Sequence, residues 1–197
     1  MPATRPFTTA DTAGLGGPFG TLRTVLERTF LRIDVLAVEV RLDAVTAARI
    51  ESVVRGAMRT IGDAEAIAAA ALDAPGAWAR LEFRRDVDVS RLVDEIRRSM
   101  RKVVDAGILS RVEFDSIAGG LEASYAPLAE RGVLDGDVQL YRLRGDTLRT
   151  VFMGRDGRTY IDSQGTGRAR RMALLGSWFV RGSDFRDGLI RSLQQGR

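Results

Sequence analysis

Arg32 and Asp34 are the first residues whose types and spacing could do chemistry. They stand two apart, directly before an alternating apolar run at Leu36, Val38, Val40 and Leu42. A side-chain period of two puts all six on one face of a strand. A cation and an anion would then line the polar end of a pocket whose wall is aliphatic. An arginine there offers a fixed charge and a planar fork of donors. A carboxylate beside it could serve as a base if burial raised its pKa. The plainer alternative leaves the charged pair at the solvent end of the strand.

The chain has no His and no Cys. That removes an imidazole base, a thiolate nucleophile and the usual ligands of zinc or haem. Disulfides are excluded too. A metal would need oxygen ligands, and the sequence shows no dense carboxylate motif of the EF-hand kind. Neither a metal nor a cofactor is expected. Any catalysis would fall to Arg, Asp, Glu, Tyr, Ser, Thr, Lys102 or water.

The chain of 197 residues suffices for one domain with a sizeable core. The formal net charge is +4, and Lys102 is the only lysine among 30 basic residues. Arg and Ala enrichment at the expense of Lys is what a GC-rich bacterial genome produces, so the basic balance does not demand an anionic partner. Acidic residues are interspersed and no basic strand is interleaved with aromatics, so no nucleic acid is expected. Arg97, Arg98, Arg101 and Lys102 read as the solvated face of an amphipathic helix. No apolar run is long enough to span a bilayer, and the N-terminus lacks a signal-like apolar core. Cytoplasm is the default expectation. The sequence sets no oligomeric state. Gly14-Leu15-Gly16-Gly17-Pro18 fits no phosphate-binding spacing and reads as a loop.

These residues need elements to position them. Residues 1–13 read as a flexible tail, and 14–197 as one domain. Apolar and β-branched content from Thr29 to Leu42 predicts a long strand. Asp43–Leu72 predicts helix, broken at Gly62-Asp63. Trp78–Val87 alternates as a strand. Ser90 opens an amphipathic helix that Gly107 closes. Another helix starts near Arg111–Glu113, weakened by Gly119-Gly120 and Pro127. Val138–Leu143, Thr147–Met153 and Arg158–Ile161 predict a three-stranded meander, with turns at Gly145-Asp146 and Asp156-Gly157. Helices at Arg168–Val180 and after Ser183 close the chain.

The order of these pieces resembles the chalcone isomerase-like family. The resemblance rests on Phe83-Arg84-Arg85-Asp86-Val87 before a helix, Gly136-Asp137 before the meander, and the Asp156-Gly157 turn. Leu174-Leu175-Gly176-Ser177-Trp178-Phe179 and Asp187-Gly188-Leu189 continue it. It covers about residues 20–195. The resemblance implies an α+β fold, an open-faced β-sandwich in which a helical layer covers one face of an antiparallel sheet, with a ligand cleft between. It also implies that Arg23, at the start of the early strand region, is the residue that stabilises an anion in the isomerases and grips a carboxylate in the fatty-acid-binding members.

Other matched positions depart from the isomerases. Asp34 stands where they carry a strand Thr, Val89 near their Tyr, and Ile96 at their helix Asn. Two hydrogen-bonding positions are apolar, and Asp34 puts a negative charge where an anionic substrate should lie. The expectation is a non-catalytic protein that binds a small amphipathic carboxylate such as a fatty acid. Arg23, Arg32 and Asp34 would form its polar end, and Leu36, Val38 and Val40 its apolar wall. An isomerase or intramolecular lyase of another substrate is one alternative. A structural or interaction protein with a filled cleft is the other.

Overall fold

The strand expected from Thr29 is one arm of a hairpin. The computed structural model describes residues 12–28, 33–56 and 61–195; the side chains of 27, 28, 33–35, 61, 194 and 195 fall outside that description. β1 (Thr21–Arg28) and β2 (Ile33–Leu42) pair antiparallel, from Thr21↔Arg41 to Leu26↔Leu36. The register then shifts, so Glu27 faces Asp34 and Val35 is the extra residue of a bulge. Arg32 lies outside the described residues, as do residues 1–11 of the expected tail.

Asp43 ends β2 and caps α1 (Ala44–Arg55). Its carboxylate accepts from the amides of Val45 and Thr46 at 3.0 Å, satisfying two of the orphan donors of a helix start. The Ala-rich α2 (Ile61–Leu72) begins just before the expected break and carries Asp63 in its first turn. β3 (Gly76–Phe83) starts earlier than expected and stops short of Val87, which instead bridges Val133. α3 (Val89–Asp105) begins one residue before Ser90.

Ser110 and Glu113 form a reciprocal capping box on α4 (Arg111–Ala118). The single helix expected beyond it is three pieces: α4, α5 (Leu121–Tyr125) and a 3₁₀ turn at Ala126–Leu128. Gly119-Gly120 separates the first two, and Pro127 stands in the 3₁₀ turn. β4 (Val138–Arg144), β5 (Thr147–Met153) and β6 (Thr159–Thr166) form the expected meander. β6 runs five residues past its expected end, because pairing with β5 overrides the weak strand propensity of Asp162-Ser163-Gln164-Gly165. α6 (Arg168–Phe179) and α7 (Arg186–Gln195) follow.

The six strands form one antiparallel sheet in sequence order, β1 to β6. Register assigns its two faces. Leu22, Leu36, Val38, Val40, Leu81, Phe83 and Phe152 share one face and are buried with the helices in the main core. The opposite face carries charge ladders: Arg23–Glu39–Arg41, Arg80–Glu82–Arg84 and Arg149–Asp162. A small apolar cluster of Trp78, Val138, Leu140 and Val151 lies among them. Among the described residues, helices cover only the first face.

Two close approaches set the helical layer. Gly176 of α6 faces Val103 of α3, where a Cβ would come within 2.5 Å of a Val103 methyl. Gly188 of α7 lies against Thr24 of β1 in the same way, and the Ser192 hydroxyl accepts a hydrogen bond from the Arg23 amide at 2.9 Å. α7 therefore covers the free edge of β1.

Candidate ligand-binding cavity

A cavity of about 680 Å³ lies between the sheet and the helical layer. Its floor crosses all six strands. Leu26, Leu36, Leu81 and Phe83 form the part under β1–β3. Gln139, Tyr141, Leu148, Thr150, Ile161 and Ser163 form the part under β4–β6. Five inter-strand steps of about 4.8 Å make this an elongated space of roughly 24 Å across the sheet. α3 supplies Leu92, Ile96 and Met100 to the roof, and α6 supplies Ala173, Leu174 and Trp178.

The floor changes character along this axis. Below β1–β3 it is aliphatic and aromatic. Below β4–β6 a row of hydroxyls crosses the sheet, since Tyr141 pairs with Thr150 and Thr150 with Ser163. The Trp178 ring meets the Tyr141 ring edge-on, with centroids 5.9 Å apart. The Tyr125 hydroxyl accepts from Gln139 Nε2 at 2.5 Å and also bonds to Tyr141. Burial pushes the Tyr141 phenol well above its ordinary pKa, and Tyr125 beside it adds to the shift. Burial raises Tyr125 too, partly offset by its bonds to Gln139 and Tyr141. Both phenols are therefore neutral hydrogen-bonding groups at physiological pH.

Five cationic side chains lie on the lining: Arg85, Arg91, Arg98, Lys102 and Arg170. Two are matched by acids. Arg98 meets Glu95 at 2.8 Å, and Lys102 meets Asp184 at 2.9 Å. Arg85, Arg91 and Arg170 have no carboxylate partner among the described residues. Among the described residues, Glu95 and Asp184 are the only acids on the lining, against five cations.

The residues expected from sequence fall in different places. Leu36 lines the cavity floor. Val38 and Val40 share its face but are packed into the core, 3% and 0% exposed, and do not border the space. Arg23 projects from the other face of the sheet, because its partner across the ladder is Glu39 and not an inward residue. Its Nε donates to Glu39 at 2.8 Å, and Glu39 also holds Arg41 at 2.6 Å. Partial burial would raise the Glu39 pKa, but these two guanidinium groups outweigh it and hold the carboxylate below its usual range. Arg23 is thus ion-paired on the face of the sheet opposite the cavity. The bulge at Val35 interrupts the alternation that put Asp34 on the face of Leu36. The side chain of Asp34 and all of Arg32 lie outside the described residues.

Sequence reasoning missed Arg85, Arg91, Arg170, Tyr125 and Tyr141. Arg85 stood inside the Phe83–Val87 motif, and Arg170 in the basic Arg168–Arg171 run. That run was a usable signal. A helix start disfavours cations, and the first turn of α6 holds three arginines and no acid.

No family model matches the sequence, and no curated protein matches it. The fold is similar to a solved one. The crystal structure of a fatty-acid binding protein of Arabidopsis thaliana superposes with a TM-score of 0.60 at 11% identity, covering 100% of this chain and 92% of that one. At that identity the likeness establishes the fold alone: α+β, chalcone isomerase-like, with an open antiparallel sheet and helices on one face. Among the described residues, no helix is long and apolar enough to cross a membrane.

Proposed function

We propose that this chain, as one domain spanning 14–197, binds a small amphipathic carboxylate such as a fatty acid in the cavity between sheet and helices, without transforming it. The observation that carries this reading is the cavity itself. It is elongated, of ligand size, apolar over much of its lining, and bordered by cations in excess of acids. The similarly folded Arabidopsis protein is a fatty-acid binding protein, which supports the ligand class.

Binding is favoured over chemistry by the state of the polar groups. The phenols are held neutral, and the two carboxylates on the lining among the described residues are each bonded to a cation, which favours holding a ligand over abstracting its proton. A filled cleft, the structural alternative, is at odds with about 680 Å³ of open space.

Titration calorimetry with lauric and palmitic acids tests the reading. Thr150→Phe places a ring on the β5 part of the cavity floor. Saturable binding to the parent protein, weakened at least tenfold in a folded Thr150→Phe variant, is the expected result. Absence of binding, or binding indifferent to Thr150→Phe, would overturn it.

A further inference from the structure

The cavity is polar at one end and apolar at the other, so an amphipathic ligand has a preferred direction within it. We infer that the ligand's carboxylate is held at the β5–β6 end by Arg170, with the hydroxyls of Thr150 and Ser163, and that its chain runs under α3 toward Leu81, Phe83 and Leu36. This inference rests on the reading above and names the anchor within it.

Three observations place the anchor. First, Arg170 lines the cavity and has no acidic partner among the described residues, whereas Arg98 and Lys102 are each matched by one. Second, Arg170 lies flat on β6. A Cβ built on Gly165 would fall 2.6 Å from its Nε and 2.9 Å from its Cζ, so the absence of a side chain at 165 makes the guanidinium's resting place. Gly165 and Ser163 are two apart on the same strand and share its inward face, and Ser163 is the cross-strand partner of Thr150. The guanidinium and both hydroxyls therefore share one corner of the floor. Neither hydroxyl has a hydrogen-bond partner within the protein among the described residues. Third, Arg170 is in the first turn of α6, whose cap, Gly167, supplies no side-chain bond. The positive end of that helix adds to the attraction for an anion.

Among the described residues, the opposite end has no matching corner. Leu26, Leu36, Leu81 and Phe83 present no hydrogen-bonding side-chain group. Arg85 and Arg91 are also unpaired; Arg85 lies between β3 and α3, and Arg91 is in the first turn of α3, but neither stands beside a pair of hydroxyls like Thr150 and Ser163. They are the competing anchors and the natural control.

The probes are lauric acid and dodecanol, titrated against the parent protein, Arg170→Gln, Gly165→Ala, and the double variant Arg85→Gln/Arg91→Gln. Gly165→Ala displaces only the flexible end of Arg170, so it tests the placement without removing the charge. The parent should bind the acid more tightly than the alcohol. Arg170→Gln should weaken the acid about tenfold, the effect of losing one charge-assisted hydrogen bond in a partly solvated site. It should leave the alcohol within twofold. Gly165→Ala should follow Arg170→Gln in direction, and the double variant should stay near the parent. Acid binding unchanged in Arg170→Gln, or lost instead in the double variant, overturns the anchor while leaving the cavity reading intact. A parent that binds neither probe overturns both.

Discussion

Removing the carboxylate of Asp137 should cost this fold about 4 kcal/mol, close to the upper half of what a buried ion pair commands when one partner is deleted. Asp137 is fully buried and accepts four hydrogen bonds. Arg131 grips it with both terminal nitrogens at 2.7 and 3.0 Å, and the amides of Leu134 and Arg155 donate at 2.8 and 2.9 Å. Its backbone carbonyl takes the Phe83 amide at 3.0 Å. The residue thus ties the entry of β4 to the end of β3 and to the β5–β6 turn. Asp137→Ala leaves a mostly buried guanidinium unpaired and two amides without an acceptor. For a domain of this size, 1 kcal/mol moves Tm by about 2–4 °C, so about 4 kcal/mol predicts a fall of roughly 8–16 °C. Thermal unfolding followed by circular dichroism reads it directly. Acid titration separates charge from shape. Burial alone would raise the Asp137 pKa, but Arg131 and the two amides outweigh it and the net shift is downward. A lowered folded-state pKa gives stability that is complete above the unfolded value and is lost as pH falls through the folded one. The stability gap between the parent and Asp137→Asn should therefore be constant near neutrality and close below the ordinary carboxylate range. An Asp137→Ala loss under 1 kcal/mol, or a gap that widens in acid, would refute the account of this network.

Two other outcomes follow from packing and from the cavity. Gly176→Ala should destabilise by about 1–3 kcal/mol, since the new methyl meets Val103 at 2.5 Å and forces α3 from α6. Val103→Ala should recover part of the loss in denaturant melts of the double variant, whereas simple additivity would mean that the two residues do not share the contact. Saturated fatty acids of increasing length should bind about fourfold more tightly per added methylene, from about 0.8 kcal/mol each, until the chain fills the space between sheet and helices. A flat calorimetric series from the shortest acid onward would deny an apolar channel.

Much of the fold was legible because its signals were local. The Val138–Met153 hairpin could be read from its strand alternation and the Gly145-Asp146 turn, and β5 has the expected bounds. The order of pieces from Phe83 to Leu193 carried the topology. What local signals missed was imposed from elsewhere. Pairing with β5 holds the polar half of β6 as strand, and pairing with β2 holds Thr21–Arg28 as a strand ahead of the start expected at Thr29. The helix expected beyond Arg111 breaks at Gly119-Gly120, a position the sequence did flag.

The cavity was less legible than the fold because face assignment is a parity question, and parity does not survive an unseen turn or bulge. Leu36, Val38 and Val40 set the inward parity of β2 correctly, as their burial shows. Arg23 belongs to β1, where inward parity is set by Leu22 and Leu26 and so excludes it. Its neighbours alone contained that information, since a strand reading Leu22-Arg23-Thr24 cannot turn both the leucine and the arginine inward. Extending the β2 alternation back to Asp34 failed for a different reason, the extra residue at Val35, which no pattern of two can announce. The residues now central to the cavity came from helices and from the far strands, brought together by a meander that separates Tyr125, Thr150 and Arg170 by 20 or more positions in sequence. Their common property is visible only in three dimensions: hydroxyls and an unmatched guanidinium gathered at one end of an otherwise apolar floor. A site assembled in this way is defined by the charge left unpaired after the ion pairs have formed. On that criterion Arg23, paired on the outer face, drops out, and of the unpaired Arg85, Arg91 and Arg170 the proposed anchor is the one that rests on a glycine beside Thr150 and Ser163.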